Sequence, residues 1–242
     1  MRVIGHRGAA AVAPENTLAS FAAALEAGVD AVEFDVRLTI DGAPVVMHDD
    51  DVTRTTGARG RISEMTLAEV RALDAGAGSI ERSQPARVPT VEEVLALVGG
   101  RVGVFVELKA TLDERGFIPA GPVARAVVPL LVGLTDVVAS SFDPGGVEVV
   151  RAMAPAIPTA LSVLRGFPIE QAIEQARAAG HAQIHPAQDA VSPEVVARAR
   201  NAGLAVCCWT VNDVARAREL LDMGVEGIFT DDPARILAGL GR

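Results

Sequence analysis

The side chains that could do chemistry crowd into a few short stretches, and the densest is DAVEFDVRLTIDGAPVVMHD, from Asp30 to Asp49. Strand side chains alternate with a period of two, so a strand here puts Glu33, Asp35 and Arg37 on one face and Val32, Phe34 and Val36 on the other. Two carboxylates side by side in a low dielectric repel, and each tends to keep its proton unless a cation joins them. The pair reads as half of a metal site; the plain alternative is a pair satisfied by arginines, because structural ion pairs also sit at strand ends. Glu107, on a second apolar run with Lys109 two residues on, is a third oxygen donor. Three carboxylates without a softer ligand suit a hard divalent cation, Ca²⁺ or Mg²⁺, better than zinc. Arg7 and Lys109 beside them imply an anionic substrate bridging metal and cations, with phosphate the natural candidate. His6 and His48 each read singly as a strand-end histidine bonded to a carbonyl. At the ends of strands that also bring carboxylates, the two can serve as general base and general acid near neutral pH. All but one of the 22 basic residues are arginine, and the exception, Lys109, points to a position that needs a compact, rotatable ammonium.

The elements that must position these groups follow from periodicity. Arg2 to Gly5 is a short strand ending on His6-Arg7-Gly8, and Pro14 to Ala27 starts and carries a helix with Asn16 or Thr17 as cap and Gly28 as stop. Ala31 to Val36 continues through Leu38 to a turn at Asp41-Gly42, and Pro44 to His48 is a third strand with no helix between. Residues 49–88, with their glycines and one short helical stretch at Leu67 to Leu73, read as a loop-rich insertion near the site. From Val88 onward helices and strands alternate regularly to the end. Nine strand candidates result, one more than an eight-stranded barrel needs, and Gln183 to His185 is the weakest. A continuous parallel α/β run without a Gly-rich phosphate fingerprint after the first strand favours a somewhat irregular (β/α)₈ TIM barrel, a single domain over 1–242, over an open sheet. In such a barrel the functional groups sit at the C-terminal ends of the strands. Trp209 reads as core or as an apolar wall at the mouth, His185 as structural, His181 as a loop residue, and Asp49 to Asp51 as a solvated loop that lacks EF-hand spacing.

The totals bound the function. Half of the 242 residues are hydrophobic and the net charge is −9. A chain this acidic is unsuited to nucleic acid or an anionic membrane surface, because backbone phosphates call for a basic surface. No apolar run approaches the roughly 18 residues a membrane span needs, so stable membrane association is not expected. The two cysteines, Cys207 and Cys208, are adjacent and offer no disulfide framework. Met1 to Ile4 leads straight into a polar cluster without the apolar core of a secretory leader, and a cytoplasmic location is expected. A homo-oligomer stays open.

The motifs, in order, resemble those of the glycerophosphodiester phosphodiesterases: GHRG at 5–8, PENT at 14–17, EFDV at 33–36, VVMHDD at 45–50, TRTTG at 53–57, VPTVEEVL at 88–95, VELK at 106–109, SSFD at 140–143, WTVN at 209–212 and FTDDP at 229–233. The resemblance implies a barrel hydrolase that cleaves small glycerophosphodiesters, such as glycerophosphocholine and glycerophosphoethanolamine, to sn-glycerol 3-phosphate and an alcohol. It implies that Glu33, Asp35 and Glu107 hold the divalent cation, that His6 and His48 are the acid/base pair, and that Arg7 and Lys109 bind phosphate, with Trp209 at the mouth and 49–88 as the family's inserted segment. Two rival readings are lysophospholipase D-type hydrolysis, for which Phe117, Ile118, Leu164 and Phe167 could supply an apolar surface, and a barrel that binds phosphodiesters without turnover.

Overall fold

The computed structural model describes residues 1–79, 85–113 and 116–242; residues 80–84 of the expected insertion lie outside the described residues. The strands are β1 (Arg2–Gly5), β2 (Ala31–Leu38), β3 (Pro44–Val46), β4 (Gly103–Leu108), β5 (Thr111–Asp113), β6 (Gly116–Ile118), β7 (Val137–Ser141), β8 (Thr159–Ser162), β9 (Gln183–His185), β10 (Ala205–Cys208) and β11 (Gly227–Thr230). Eight of them, β1, β2, β4, β7, β8, β9, β10 and β11, pair in parallel in that order, and β1 pairs with both β11 and β2, closing a (β/α)₈ barrel.

The ninth candidate is not the one the sequence points to. Gln183–His185 is a full barrel strand, parallel to both β8 and β10. The strand outside the barrel is β3, which lies antiparallel on the end of β2 with Val36 opposite Val46 and Leu38 opposite Pro44. The reason is the connection. The Asp41-Gly42 turn is too short for a crossover, so the chain can only return antiparallel. The hairpin of β5 and β6 is a further departure: its three-residue strands are too short for alternation to show, and it holds Leu112, Phe117 and Ile118 out in solvent.

Alternation along the barrel strands decides which side chains are sealed and which are available. Val32, Phe34 and Val36 of β2 and Val104, Val106 and Leu108 of β4 face outward into the shell of helices, joining Phe21 and Val91 in one cluster. The interior is filled low down by Ile4, Ala31, Phe105, Val138, Ala160, Cys207 and Phe229, with Phe105 and Phe229 edge to face at 5.5 Å. Below that plug, Arg2 forks onto Asp136 at 2.7 and 3.0 Å. With its lower half packed, the barrel leaves only the C-terminal ends of its strands open for polar groups. The segment after β3 has a small core of its own, Val52, Ile62 and Val70 against Val45 and Met47, which holds the residues following His48 against the barrel mouth.

Candidate active site

Glu33, Asp35 and Glu107 meet at the upper ends of β2 and β4, each offering an oxygen within 4.8 Å of the others. Register brings them there: Asp35 stands opposite Glu107, one step above Glu33 opposite Phe105. The two carboxylates of β2 live in opposite environments. Asp35 lies 3.1 Å from Lys109 Nζ and 3.2 Å from Arg7 Nε, and accepts a hydrogen bond from Asn16 Nδ2 at 2.8 Å. Burial opposes its ionisation, but Lys109 and Arg7 outweigh it and hold the carboxyl well below the usual range. Glu33 accepts the backbone N–H of Arg7 on Oε2 at 3.0 Å, while its buried Oε1 has no hydrogen-bond partner among the described residues. Burial, reinforced by the neighbouring Asp35 charge, pushes its pKa up to about 8. The alternative of a pair satisfied by arginine thus holds for Asp35, with Lys109 sharing the task, and fails for Glu33. An orphaned buried oxygen within an all-carboxylate set is a donor arrangement that fits a hard divalent cation.

Each histidine is backed by an aspartate. His6 follows β1 and places Nδ1 2.7 Å from Asp231 Oδ1; Asp231 Oδ2 in turn accepts from Asn212 Nδ2 at 2.7 Å, and Asn212 Oδ1 accepts the Asp231 backbone N–H at 2.9 Å. Burial lowers the His6 pKa, yet the bond to Asp231 and the charge of Glu33 outweigh it, and the net displacement is upward. His48 places Nδ1 2.6 Å from Asp49 Oδ1, and Asp49 Oδ2 accepts from Arg54 Nε at 2.5 Å. Of the triplet expected as a solvated loop, Asp49 and Asp50 are built into the structure while Asp51 is exposed as expected. Hydrogen bonding to His48, and then to Arg54, holds Asp49 below the carboxylate range against partial burial. Asp50 is buried under Arg61 and Ser63, and Asp51 accepts the backbone N–H of Thr53. Carboxylates directly after a short strand fold back onto the nearest donors, here a ring N–H, two arginines, a hydroxyl and backbone amides.

Arg7 is held from outside as well as from within: its Nη1 lies 2.9 Å from Glu15 Oε1, and Arg54 grips the same carboxylate with two nitrogens at 2.8 Å. The cavity between these groups has a volume of about 220 Å³ and is lined on the acid/base side by His6, Arg7, Glu33, His48, Glu107 and Lys109. Its far wall is aromatic, Trp209 against Phe142 at 5.8 Å, with Trp209 Nε1 donating to the His185 carbonyl at 2.8 Å. Trp209 thus stands at the mouth, the second of its two readings. His185 forms part of the floor; burial pushes its pKa down to about 3, and its Nε2 meets Gln183 Oε1 at 3.0 Å, so it is neutral and structural. His181 is a loop residue, but a buried one bonded to Thr159. Sequence reasoning assigns no role in the site to Asp231, Asp49, Glu15 or Arg54, and reads Asn16 only as a candidate helix cap. The signal for Asp49 was its adjacency to His48; for the others only three-dimensional proximity reveals the partner.

Residues 6–235 match the family model described as the glycerophosphoryl diester phosphodiesterase family. The chain belongs to this family. A glycerophosphodiester phosphodiesterase of Caldanaerobacter subterraneus subsp. tengcongensis is 33% identical over 97% of this chain and 96% of its own length, and one of Bacillus subtilis is 31% identical over 95% and 83%. Among solved structures, an Oleispira antarctica phosphodiesterase in complex with the product sn-glycerol-3-phosphate is 32% identical, with a TM-score of 0.88 over 100% of this chain and 97% of that one. The glycerophosphodiester phosphodiesterase of Agrobacterium tumefaciens superposes with a TM-score of 0.81 at 29% identity, covering 98% and 99%. The expected resemblance is thereby established: the chain is a phosphoric diester hydrolase of the glycerophosphodiester phosphodiesterase class, on a (β/α)₈ barrel.

Proposed function

We propose that the protein hydrolyses small glycerophosphodiesters, glycerophosphocholine and glycerophosphoethanolamine among them, to sn-glycerol 3-phosphate and the free alcohol, by acid/base catalysis between His6 and His48. The observation that carries this is the cavity itself, where two aspartate-backed imidazoles, two cations and the carboxylates of Glu33 and Glu107 line one space, with Asp35 buried beside them in the same acidic group. Arg7 and Lys109 bind and orient the phosphoryl oxygens, charge-assisted donors being well matched to that group. Glu33, Asp35 and Glu107 would hold the divalent cation, Ca²⁺ or Mg²⁺, whose charge polarises the phosphoryl group.

With Asp231 accepting from Nδ1–H, His6 keeps the lone pair of Nε2 for a proton. In this scheme His6, the base by resemblance to the family, takes the proton from the substrate's own glycerol 2-hydroxyl. That oxygen attacks phosphorus, the bond to the headgroup oxygen breaks, and His48 delivers its proton to the departing alcohol, leaving a cyclic phosphate. Water then opens the ring with the roles reversed, His48 taking the proton and His6 returning one to the 2-hydroxyl. An intramolecular nucleophile needs no separate binding step. Trp209 and Phe142 close the apolar side of the cavity against the carbon skeleton.

The test is release of sn-glycerol 3-phosphate from glycerophosphocholine by the wild type, His6→Ala and His48→Ala. General acid/base catalysis is worth on the order of 10²–10⁴ in rate, so each variant should fall by at least about 10²-fold in kcat. Near-wild-type turnover in either one would sink the two-histidine scheme.

A further inference from the structure

Arg54 stands outside the barrel, on the single-turn helix Thr53–Thr56 of the segment that follows His48. Its guanidinium touches two carboxylates at once: Nε lies 2.5 Å from Asp49 Oδ2, Nη1 2.8 Å from Glu15 Oε2, and Nη2 2.8 Å from Glu15 Oε1. The remaining contacts of both carboxylates lead into the active site. Asp49 Oδ1 meets His48 Nδ1 at 2.6 Å, and Glu15 Oε1 meets Arg7 Nη1 at 2.9 Å. One planar fork thus joins the imidazole on one side of the cavity to the guanidinium on the other.

Stability alone gives little reason for this arrangement. The Arg54 side chain is 49% exposed, and ion pairs of that kind contribute little to folding because water and salt screen them and two long side chains must be ordered. Geometry gives a stronger one. An imidazole or guanidinium displaced by about 1 Å can cost on the order of 10²-fold in rate. The fork fixes both carboxylate planes simultaneously, which the point charge of a lysine ammonium cannot do.

We propose that Arg54 is a positioning residue for the diester hydrolysis, setting the ring of His48 through Asp49 and the guanidinium of Arg7 through Glu15; this rests on the roles given to His48 and Arg7 above. The two arms have different kinetic signatures. Ring orientation governs proton transfer and so kcat, whereas the Arg7 arm governs how well the anion is held and so KM.

The experiment is steady-state hydrolysis of glycerophosphocholine by Asp49→Asn, Glu15→Gln, Arg54→Ala and Arg54→Lys beside the wild type, with thermal midpoints measured on each. Asp49→Asn should lower kcat by about 10-fold or more with KM within about twofold, Glu15→Gln should raise KM by about 10-fold with a smaller effect on kcat, and Arg54→Ala should do both. Arg54→Lys should rescue neither constant fully, and the midpoints should move by no more than about 4 °C. Arg54→Ala with both constants within about twofold of wild type, or full recovery in Arg54→Lys, would overturn the proposal. So would equal losses of kcat/KM in Asp49→Asn and Glu15→Gln that follow a falling midpoint in place of the kcat-against-KM split. A wild-type protein that leaves glycerophosphocholine intact would overturn the reading of the site itself.

Discussion

Asp231 and His185 show how the same barrel treats two imidazoles in opposite ways. Burial disfavours the imidazolium of His6, but Asp231 and Glu33 restore it, whereas no carboxylate among the described residues supports His185 and burial alone decides. In Asp231→Asn the largest stabilising contact of the His6 imidazolium is lost, so its pKa falls. With His6 as the proposed base, the free imidazole then persists to lower pH: the acidic limb of the kcat/KM profile should shift to lower pH while the plateau drops by about 10²-fold or more, as expected when a carboxylate no longer fixes tautomer and orientation. An unmoved limb would contradict the dyad. His185 predicts a different pH effect. Its folded pKa, about 3, lies below the ordinary value of 6.5, so the unfolded chain binds the extra proton and stability is lost as pH falls through that window, by up to about 1.4 kcal/mol per pH unit. Urea midpoints measured from pH 7 to pH 4 should therefore decline more steeply in the wild type than in His185→Gln. At this scale the sequence showed the groups at strand ends but not what stands behind them. His6 and Asp231 are 225 positions apart, and no local pattern announces such a pair.

Among the elements, the turn from β1 into the first helix is the most constrained. Gly8 has φ +89°, and a Cβ there would meet Ser20 Oγ at 2.4 Å and the Ser20 backbone carbon at 2.6 Å. The close approach is functional: Ser20 Oγ donates to the Arg7 carbonyl and accepts the Ala9 N–H, both at 2.8 Å, tying the Arg7 loop to the helix Leu18–Ala27. Gly8→Ala should lower stability by roughly 2–4 kcal/mol from strained backbone and collision together, seen as a reduced urea midpoint, with kcat/KM falling as Arg7 is displaced. The helix itself was legible, Thr17 accepting the Ser20 N–H and Gly28 ending it in the left-handed region. Asn16, the other candidate cap, turns instead to Asp35, because at φ 56° it sits in the left-handed region outside the helix. β9 reads weakly because it has only three residues, and β3 reads like a barrel strand because alternation reports burial and says nothing of strand direction.

For the molecule as a whole, a chain of net charge −9 gathers Arg7 and Lys109 at one opening, where the proposed anionic substrate would bind, while the barrel is sealed below by Phe105, Phe229 and the Arg2–Asp136 pair. Free cysteines are buried, and no helix among the described residues is long and apolar enough to cross a membrane. The parallel barrel was readable because helix and strand periods alternate along most of the chain. What periodicity does not supply is the electrostatic asymmetry of the acidic cluster, where, among the described residues, Asp35 is compensated by three neighbours and Glu33 keeps an unpaired oxygen. That asymmetry carries the central claim, that a hard divalent cation completes the site. Its most direct test is release of sn-glycerol 3-phosphate from glycerophosphocholine by chelator-stripped protein, before and after Ca²⁺ or Mg²⁺ is added back. Loss of turnover on stripping and its return with one of the two ions, but not in Glu33→Gln, is the result predicted; undiminished turnover by folded, metal-free protein would contradict it.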